Sequence, residues 1–510
     1  MPAILRIKDR RMQPFASTPD VRLPTTWTFV VLTIATWLAG CSVGPDYRTP
    51  DLSLPPRWTN AEHKDQPATT PELAQWWKRL GDPTLNALID EAVSGNLDVA
   101  TAKAKIRQAR ATYREAGGAR LPSLDASGSA TRSRSSASSS DGANIYNQFQ
   151  AGFDASWELD IFGANRRSAE AARYGVQAAE ENLRAVLLTL IGDIASNYVQ
   201  ARGYQVRMVL AERTAAAQRE TAALMHVRFD AGTVSGLDFA NATGQASATE
   251  ASVATLKTNY TETMHRLGVL LGREPSALAV QLGGRAPIPM PQQPVPMGVP
   301  ADILSSRPDV RQAERELAQA TANIGVATAA RYPNVTLGGN IATSGTSIGD
   351  LAKSTSVGWS FGPSINIPLF NGGQLAAAVD VAQAQRDQYF LALRSAVLNA
   401  LEDVENAASA LAQERGKQEK LAESASSYRE AARLARSLYE NGSSSFLDVL
   451  DAERSLYSAE DSLIQSRVAA ATDYIALNKA LGGGWDGAID VPRPETVDTD
   501  TAQHFRSNHD

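Results

Sequence analysis

The stretch FQAGFDASWELDI, Phe149 to Ile161, alternates between apolar and polar residues and decides the fold class. Its odd positions carry Phe, Ala, Trp, Leu and Ile, whereas its even positions include two Asp and one Glu. A period of two places apolar side chains on one face of a β-strand and carboxylates on the other. A tilted strand needs about 9 to 11 residues to cross a bilayer. The stretch therefore predicts a membrane strand with a lipid face and a wet face, and a strand of a soluble sandwich is the alternative.

The same alternation returns in WSFGPSINI, Trp359 to Ile367. A weaker alternating segment precedes each stretch, so that each half of the chain carries a predicted strand pair, at about 123–161 and 334–369. Four strands are too few for a membrane barrel, because the smallest bacterial barrels have about 8 and an open edge in lipid leaves backbone groups unpaired. We therefore expect oligomers, in which two chains would supply 8 strands and three would supply 12.

Long helices are predicted after each strand pair. The regions 123–274 and 369–491 contain no proline and are rich in Ala, Leu, Glu, Gln and Arg, which favour helices. A helix from about Ala164 to Asp230 would contain 67 residues. At 1.5 Å per residue such a helix is about 100 Å long. A rod of this length is not typical of a compact globular domain.

Two glycine-containing turns interrupt these helical regions, RFDAGTVSGLDFANA (Arg228 to Ala242) and LYENGSSSFLDVLDA (Leu438 to Ala452). Gly232 and Gly442 are typical of helix C-caps, and the serines that follow can cap the next helix. Each half therefore predicts a long antiparallel helical hairpin, over 164–272 and 372–482.

The two halves carry the same landmarks at a nearly constant offset, which indicates an internal duplication. Asp98 corresponds to Asp309 at an offset of 211, and Gly232 corresponds to Gly442 at an offset of 210. The predicted organisation is a signal peptide (1–40), an acylated extended segment (41–81), a first repeat (82–274), a proline-rich extended connector (275–300), a second repeat (301–485) and a disordered tail (486–510).

The N-terminus has the features of a secretory signal. An uncharged run from Trp27 to Ala39 follows several arginines, and it is shorter than the roughly 20 residues of a spanning helix. The sequence Leu38-Ala-Gly-Cys41 resembles the lipobox of bacterial lipoproteins, in which the cysteine is acylated and becomes the first mature residue. Cys41 is the only cysteine, so it cannot form an internal disulfide. We expect it to be the lipid attachment site, with an ordinary signal peptide and an incidental cysteine as the alternative.

Composition and motifs argue against nucleic-acid binding and catalysis. The net charge is −6 with charges spread along the chain, so no basic face is predicted for a nucleic acid. The five histidines show no metal-ligand spacing. A G-x-S-x-G match at Gly345 to Gly349 lies in a Ser- and Gly-rich loop, not at a strand-to-helix turn. We therefore expect no enzyme activity and no cofactor apart from the covalent lipid.

Several motifs, in this order, resemble the outer-membrane factor family related to TolC, and most of all its NodT-type lipoproteins of resistance-nodulation-division efflux pumps. They are Trp76-Trp77, SSRPDVRQAERELAQATANIGVATAARYPNVTL (305–337), SINIPLFNGGQ (364–374), FLDVLDAERSL (446–456) and ALGGGW (480–485). The resemblance implies a mixed α and β membrane protein: a homotrimer with a 12-stranded outer-membrane β-barrel, four strands per chain, continued by a long periplasmic α-helical barrel. It implies passive conduction of small molecules from an inner-membrane pump and a periplasmic adaptor.

A candidate gate lies beside the second turn. Leu447, Asp451 and Arg454 are spaced i, i+4, i+7 and share one helix face. Threefold symmetry would turn each residue into a ring, and the resemblance implies that the Leu and Asp close a periplasmic aperture which the Arg helps to hold shut. The first repeat has Asn241 and Gly244 instead, so we expect the gate in the second repeat. The alternative is a surface ion pair between Asp451 and Arg454.

The hairpin turns are also the predicted docking surface for the adaptor, with Gly232, Asp238, Gly442 and Asp448 as its markers. Two further functional classes stay open at this point. A protein-secretion duct would have nearly the same sequence pattern. A structural or adaptor lipoprotein would keep the helices but lack strands with a lipid face, so the alternation described above argues against it.

Overall fold

The computed structural model describes residues 42–52, 54–58, 73–134, 145–292 and 306–485, together with residues 295, 301 and 491. The predicted signal peptide, Cys41 and all of the predicted tail except residue 491 lie outside the described residues. The elements are α1 (Pro83–Gly95), α2 (Leu97–Gly118), β1 (Ser123–Arg134), β2 (Ile145–Leu159), α3 (Ala164–Asp230), α4 (Gly236–Leu270), α5 (Ala279–Leu282), α6 (Pro308–Ala329), β3 (Asn334–Gly345), β4 (Val357–Asn366), α7 (Gln374–Glu440) and α8 (Phe446–Ala480).

The strands form one antiparallel sheet in the order β1-β2-β3-β4. The two strand pairs are therefore joined to each other, since β2 of the first repeat pairs with β3 of the second. In this register Phe153 lies opposite Ala126 on one side and Ile341 on the other. Its side chain and the large apolar side chains of β4 are exposed in the single chain. The predicted strand character of the alternating stretch is confirmed, and β2 begins at Ile145, four residues before the stretch quoted above.

The long helices have the predicted positions. Helix α3 contains 67 residues and begins and ends at the predicted residues, and α7 also contains 67 residues. Each long helix starts directly after a strand and ends at a glycine turn, so the sheet and the turns lie about 100 Å apart along the helix axis. Among the described residues, none of the helices has an apolar run long enough to cross a membrane.

The duplication is visible in the packing of the helices. Val99 and Ile106 of α2 are buried in the same apolar cluster as residues of α3, and Val310 and Leu317 of α6 are buried with residues of α7. The residues that the two long helices contribute to these clusters also correspond, at an offset of 210. They are Leu183, Leu187 and Leu190 on α3 and Leu393, Val397 and Ala400 on α7. Each repeat therefore packs a short helix on its own long helix in the same way.

The segments before α1 and after α8 meet in the largest apolar core. The indole Nε1 of Trp76 donates a hydrogen bond to the carbonyl oxygen of Gly483 at 3.0 Å, and the Trp77 ring stacks on Trp485 with centroids 6.2 Å apart. The predicted extended segment before α1 thus includes a 3₁₀ turn, Trp76–Leu80. Burial of these large rings explains the turn, because it places both indoles in the core.

The connector between the repeats differs in part from its predicted extended form. It contains the one-turn helix α5, which places Leu278 and Leu282 on one side, where both are buried. Arg202 and Gln205 on α3 both donate hydrogen bonds to the carbonyl oxygen of Leu282. This apolar pair at i, i+4 favours a helical turn between the flanking prolines.

Candidate functional site

Both hairpin turns have the same capped geometry at the end of the long helices. The amide of Gly232 donates to the carbonyl of Phe229 at 2.9 Å, and Thr233 donates to Arg228 at 2.9 Å. Gly442 and the residue after it make the equivalent bonds at the end of α7. Both glycines have φ of 71°, a left-handed conformation that side chains disfavour. The predicted C-caps are Schellman motifs, which satisfy the last helical carbonyls.

The aspartates predicted as docking markers also cap helices. The Oγ of Ser235 accepts a hydrogen bond from the amide of Asp238 at 3.1 Å, and the Asp238 carboxylate accepts from the Ser235 amide at 3.3 Å. Ser445 and Asp448 form the same reciprocal box at the start of α8. Asp448 is exposed and Asp238 is half-buried, so both hold the turn geometry and the carboxylate of Asp448 also lies at its surface.

The two turns are joined to each other by contacts that the sequence analysis missed. Arg228 donates a hydrogen bond to the Tyr439 hydroxyl at 3.2 Å, and its guanidinium lies 5.7 Å from the centre of the same ring. Beside this pair, Met225 and Phe446 are buried in a small apolar cluster. Aromatic and methionine residues near each turn indicated a contact surface, but the sequence alone could not show which residues of the two hairpins meet, because that depends on how the hairpins pack.

The candidate gate residues lie on one exposed face of α8. Leu447 is 60% exposed, and a nitrogen of the Arg454 guanidinium lies 2.6 Å from a carboxylate oxygen of Asp451. Both charged side chains are also exposed in the single chain. The ion pair expected under the surface alternative is therefore present, and the face that carries it is available to other molecules.

The other face of α8 is bound within the chain. Glu453 pairs with Arg436 of α7, and Glu460 pairs with Arg429 of α7 and Arg213 of α3. These contacts orient α8 so that the gate residues point away from its intrachain partners. In the first repeat, the position equivalent to Arg454 is Gly244. Glycine has no side chain, so this position cannot form a comparable ion pair.

Residues 42–58, of which residue 53 is not described, form a strap along the long helices, here called the N-terminal strap. Its first described residues bind the point where the sheet meets α3. The amide of Val43 donates to the carbonyl of Phe162 at 3.1 Å. Ser42 packs so closely on Gly163 that a Cβ atom at this glycine would lie 2.7 Å from the serine Oγ. The predicted lipid site, Cys41, lies outside the described residues, and the residue that follows it contacts this junction.

Arg167 of α3 clasps the strap. Its guanidinium donates to the carbonyl oxygens of Val43 at 3.2 Å and Gly44 at 3.3 Å, and to the Asp46 carboxylate at 2.7 Å. The Arg167 side chain is nearly buried, whereas Asp46 is exposed. Gly44 has φ of 89° and lies against the backbone of Gly325, where no side chain fits. This clasp was not predicted from the sequence, although two glycines without a turn context were a usable signal.

The strap continues over α6. The Tyr47 hydroxyl and the Thr49 hydroxyl donate to one carboxylate oxygen of Glu314 at 3.0 and 3.1 Å, and Arg315 donates to the same oxygen at 2.7 Å. Burial opposes ionisation of Glu314, but the hydrogen bonds from Arg315, Tyr47 and Thr49 outweigh it and lower the pKa of Glu314. Burial raises the pKa of Tyr47 above its ordinary value, and Glu314 raises it further.

A buried arginine holds the start of the second repeat. Arg307 donates to the carboxylates of Asp309 at 2.7 Å and Asp403 at 3.0 Å, and to the carbonyl oxygen of Ala480 at 2.9 Å. Burial disfavours the charge of Arg307, but these bonds outweigh it and raise its pKa. Asp309 has a lowered pKa because the bond to Arg307 outweighs burial. The group joins α6, α7 and the end of α8.

Two further observations concern the chemistry of the described residues. Within them, no group of three or more His, Cys, Asp or Glu side chains is arranged to hold a metal ion. The serine of the G-x-S-x-G match, Ser347, precedes a short 3₁₀ helix in the loop between β3 and β4. Its hydroxyl and amide are bonded to Asp350, so Ser347 acts as a cap.

Comparisons with known proteins match both repeats of the chain. The family described as outer membrane efflux protein matches residues 88–273 and 299–483, one match in each repeat. Nodulation protein T of Rhizobium leguminosarum bv. trifolii is 36% identical over 449 residues, covering 88% of this chain and 96% of that protein. The solvent efflux pump outer membrane protein SrpC of Pseudomonas putida is 33% identical over 455 residues, covering 88% and 96%. The solved outer-membrane channel OprN is similar with a TM-score of 0.81 and 34% identity, covering 87% of this chain and 100% of that chain.

Proposed function

This chain belongs to the outer membrane efflux protein family, and from that membership we infer that it is the outer-membrane channel of a tripartite efflux system. It is an outer-membrane protein that extends into the periplasm. We propose that it conducts small molecules, such as drugs and toxic compounds, passively from a periplasmic adaptor and an inner-membrane pump to the exterior. The single observation that carries this proposal is a strand of alternating polarity that leads directly into a helix of 67 residues.

The proposed assembly is a trimer. Each chain offers a sheet of four strands whose outer edges, β1 and β4, have no partner within the described residues. Because unpaired strand edges are not stable in lipid, closure requires other copies of the chain. Three copies give a 12-stranded barrel, and the long helices continue it as a helical barrel of about 100 Å. The exposed large apolar side chains of β2 and β4 then face the lipid.

The proposed gate is the face of α8 that carries Leu447, Asp451 and Arg454. In a trimer these residues form three rings around the axis near the hairpin turns. Three converging carboxylates repel one another unless cations compensate them, and Arg454 lies within bonding distance of Asp451 to do so. The exposed Leu447 adds an apolar constriction that disfavours water when the ring is narrow. Widening of the ring removes both barriers, and the conduit needs no energy source of its own.

The proposed adaptor-docking surface is formed by the capped turns at Gly232 and Gly442. The Schellman motifs and capping boxes give both turns the same rigid backbone. The exposed carboxylate of Asp448 and the half-buried carboxylate of Asp238 lie there, which fits an adaptor surface with compensating basic residues. The shared backbone geometry of the two turns would present six similar sites in a trimer.

Cys41 is the proposed lipidation site, and no other cofactor is proposed. The contacts of Ser42 and Val43 with Gly163 and Phe162 support this assignment, because they hold the start of the strap next to the end of β2. Acyl chains attached there would enter the membrane leaflet that faces the periplasm, at the end of the barrel that is joined to the long helices. More than one acyl chain is needed for stable anchoring.

A deletion experiment tests the efflux function. Loss of this protein in its own bacterium should raise the accumulation of a fluorescent efflux substrate, and re-expression should restore export, while the set of secreted proteins stays unchanged. A changed set of secreted proteins with normal dye export would favour the protein-secretion alternative. No change in either measurement would favour a structural lipoprotein.

A further inference from the structure

The two ends of the sheet differ in what is joined to them. Helices α2 and α6 lead into β1 and β3, and α3 and α7 follow β2 and β4, so these four helices are all attached at one end. The protein extends into the periplasm through its helices, so the opposite end of the sheet faces the exterior in the proposed barrel. Arg134, the last residue of β1, and the loop between β3 and β4 lie at that exterior end.

Two arginines of β1 lie on the outer face of the sheet. In the strand register Phe153 of the apolar row of β2 lies opposite Ala126 of β1. Residues directly opposite each other share a face, and each strand alternates with a period of two, so the even-numbered residues of β1 belong to the lipid-facing side. Arg132, opposite Asn147, and Arg134 continue this row, and both side chains are exposed.

The height of these arginines matches the headgroups of the outer leaflet. Arg132 lies eight positions after the exposed Leu124 on the same face. At about 3.3 Å per residue and a strand tilt of about 40°, this separation is about 20 Å along the membrane normal, and Arg134 lies about 5 Å farther out. The apolar band of a membrane barrel is about 25 Å tall. The long arginine side chains therefore carry their charge to the headgroup level.

The charges of Arg132 and Arg134 are not compensated within the described residues. The only described carboxylate at the exterior end of the sheet is that of Asp350. It accepts hydrogen bonds from Lys353 at 2.7 Å and from the amide of Ser347 at 2.9 Å, so its charge is already paired in its own loop. The two arginines thus leave a net positive charge on the outer face at this end.

A short turn lies on the same outer face, beside the arginines. It is the 3₁₀ helix Ile348–Ala352, here called the outer turn. The hydroxyl of Thr343 donates a hydrogen bond at 3.0 Å to a carbonyl oxygen within the outer turn, and Asp350 packs where a side chain of Gly345 would lie. Gly345 is opposite Phe149 of the apolar row. The outer turn therefore covers the lipid-facing side of β3, with β2 between it and the arginines.

We propose that Arg132 and Arg134 bind the phosphate groups of a glycolipid in the outer leaflet, at a site that the outer turn bounds on its other side. This inference rests on the proposed barrel, and it names a lipid partner for it. Guanidinium groups bind phosphate through two parallel hydrogen bonds, which an ammonium cannot form. The Cα atoms of the two arginines lie about 7 Å apart along one strand face, so two phosphates of one headgroup can be bound together.

The site has a mechanical consequence for the channel. Phosphates that are crowded around a barrel repel one another unless cations compensate them, and here the protein supplies the cations. The bound headgroup fixes the height of the exterior end of the barrel, as the acyl chains on Cys41 are proposed to do at the periplasmic end. The barrel is then held in both leaflets.

Native mass spectrometry of the purified full-length protein, titrated with diphosphorylated lipid A, tests the site. EDTA is present so that metal ions cannot bridge the phosphates. Each basic residue near an anionic lipid surface changes affinity about 5-fold, so Arg132→Gln with Arg134→Gln should weaken binding by about 25-fold. The matched control is Arg120→Gln with Arg331→Gln, two exposed arginines at the opposite end of the sheet. We expect the control to bind lipid A as the wild type does.

Two further measurements separate phosphate binding from a structural role. Arg132→Lys with Arg134→Lys keeps the charges but not the paired donors, so its affinity should lie between those of the wild type and the glutamine variant. Added salt should weaken lipid A binding to the wild type and have little effect on the glutamine variant. Lipid A without its phosphates should bind equally to both proteins.

The outcomes distinguish the lipid site from the proposed function. Equal affinity for lipid A in the wild type and the glutamine variant, measured on trimers that conduct, would overturn the lipid site and leave the channel intact. Equal weakening in the glutamine variant and the matched control would also overturn it, since charge at either end would then suffice. The absence of trimers and of conductance in the protein without substitutions would overturn the proposed function and the lipid site with it.

Discussion

The clasp around Arg167 offers a local and quantitative test of the N-terminal strap. Arg167→Ala removes the donors for the carbonyls of Val43 and Gly44 and for the Asp46 carboxylate. A hydrogen bond from a charged donor contributes about 1.5 to 3 kcal/mol. The bond to Asp46 contributes little because that carboxylate is exposed and solvent screens it. The two bonds to the carbonyl oxygens are long, so each contributes less than a bond of ideal length. The expected loss of strap binding is about 2 to 3 kcal/mol.

Hydrogen exchange with mass spectrometry on the full trimer measures this loss. The Val43 amide is protected by its bond to Phe162, so exchange of the peptide that follows Cys41 should become roughly 30- to 150-fold faster in Arg167→Ala. Arg167→Lys keeps the charge but not the fork of donors, so its exchange rate should lie between those of the wild type and Arg167→Ala. Arg213→Ala is the control, since it removes an exposed ion pair on the same helix. Unchanged exchange of the strap in Arg167→Ala would refute the clasp.

Three other predictions follow from single residues. Gly442→Ala should loosen the second turn by about 1 kcal/mol, since its φ is left-handed, whereas Gly244→Ala in an open helical position should stabilise the hairpin; exchange rates of the turn peptides check both. Arg307→Ala should lower the melting temperature, because it leaves a paired aspartate and a helix-end carbonyl without a buried donor, while the exposed Arg433→Ala should not. Strap binding should be constant above about pH 4.5 and weaken as pH falls through the lowered pKa of Glu314, because a carboxylate with a depressed pKa stabilises the fold only while ionised. Mobility of a spin label on the strap measures this loss, and Glu314→Gln should abolish the pH dependence.

Local patterns allowed the secondary structure to be predicted closely. The bounds of α3 followed from the absence of proline and from the glycine turn at Gly232, and the capping role of Ser235 followed from residue type and spacing. The strand character of β2 followed from its period of two. These features depend on residues that are near in sequence, so the sequence alone carries them.

The contacts that join distant segments were not predictable in the same way. The clasp of Arg167 on the strap and the bond from Arg228 to Tyr439 both connect residues more than one hundred positions apart. An arginine in a helix has many possible partners, and tertiary packing selects one. The pair of Asp451 and Arg454 was foreseen because it needs only helical spacing. Its role in a gate depends on neighbouring copies and therefore stays a proposal.

The central claim is that the chain forms a passive channel whose gate lies at Asp451. Single-channel recording of purified protein in planar bilayers, with wild type compared against Asp451→Ala, tests it most directly. Asp350→Ala serves as the control, because that carboxylate is bound within the loop between β3 and β4. We predict a mostly closed wild type, an unchanged control and a more conductive Asp451→Ala. The absence of conductance in all three proteins after confirmed insertion would contradict the channel itself.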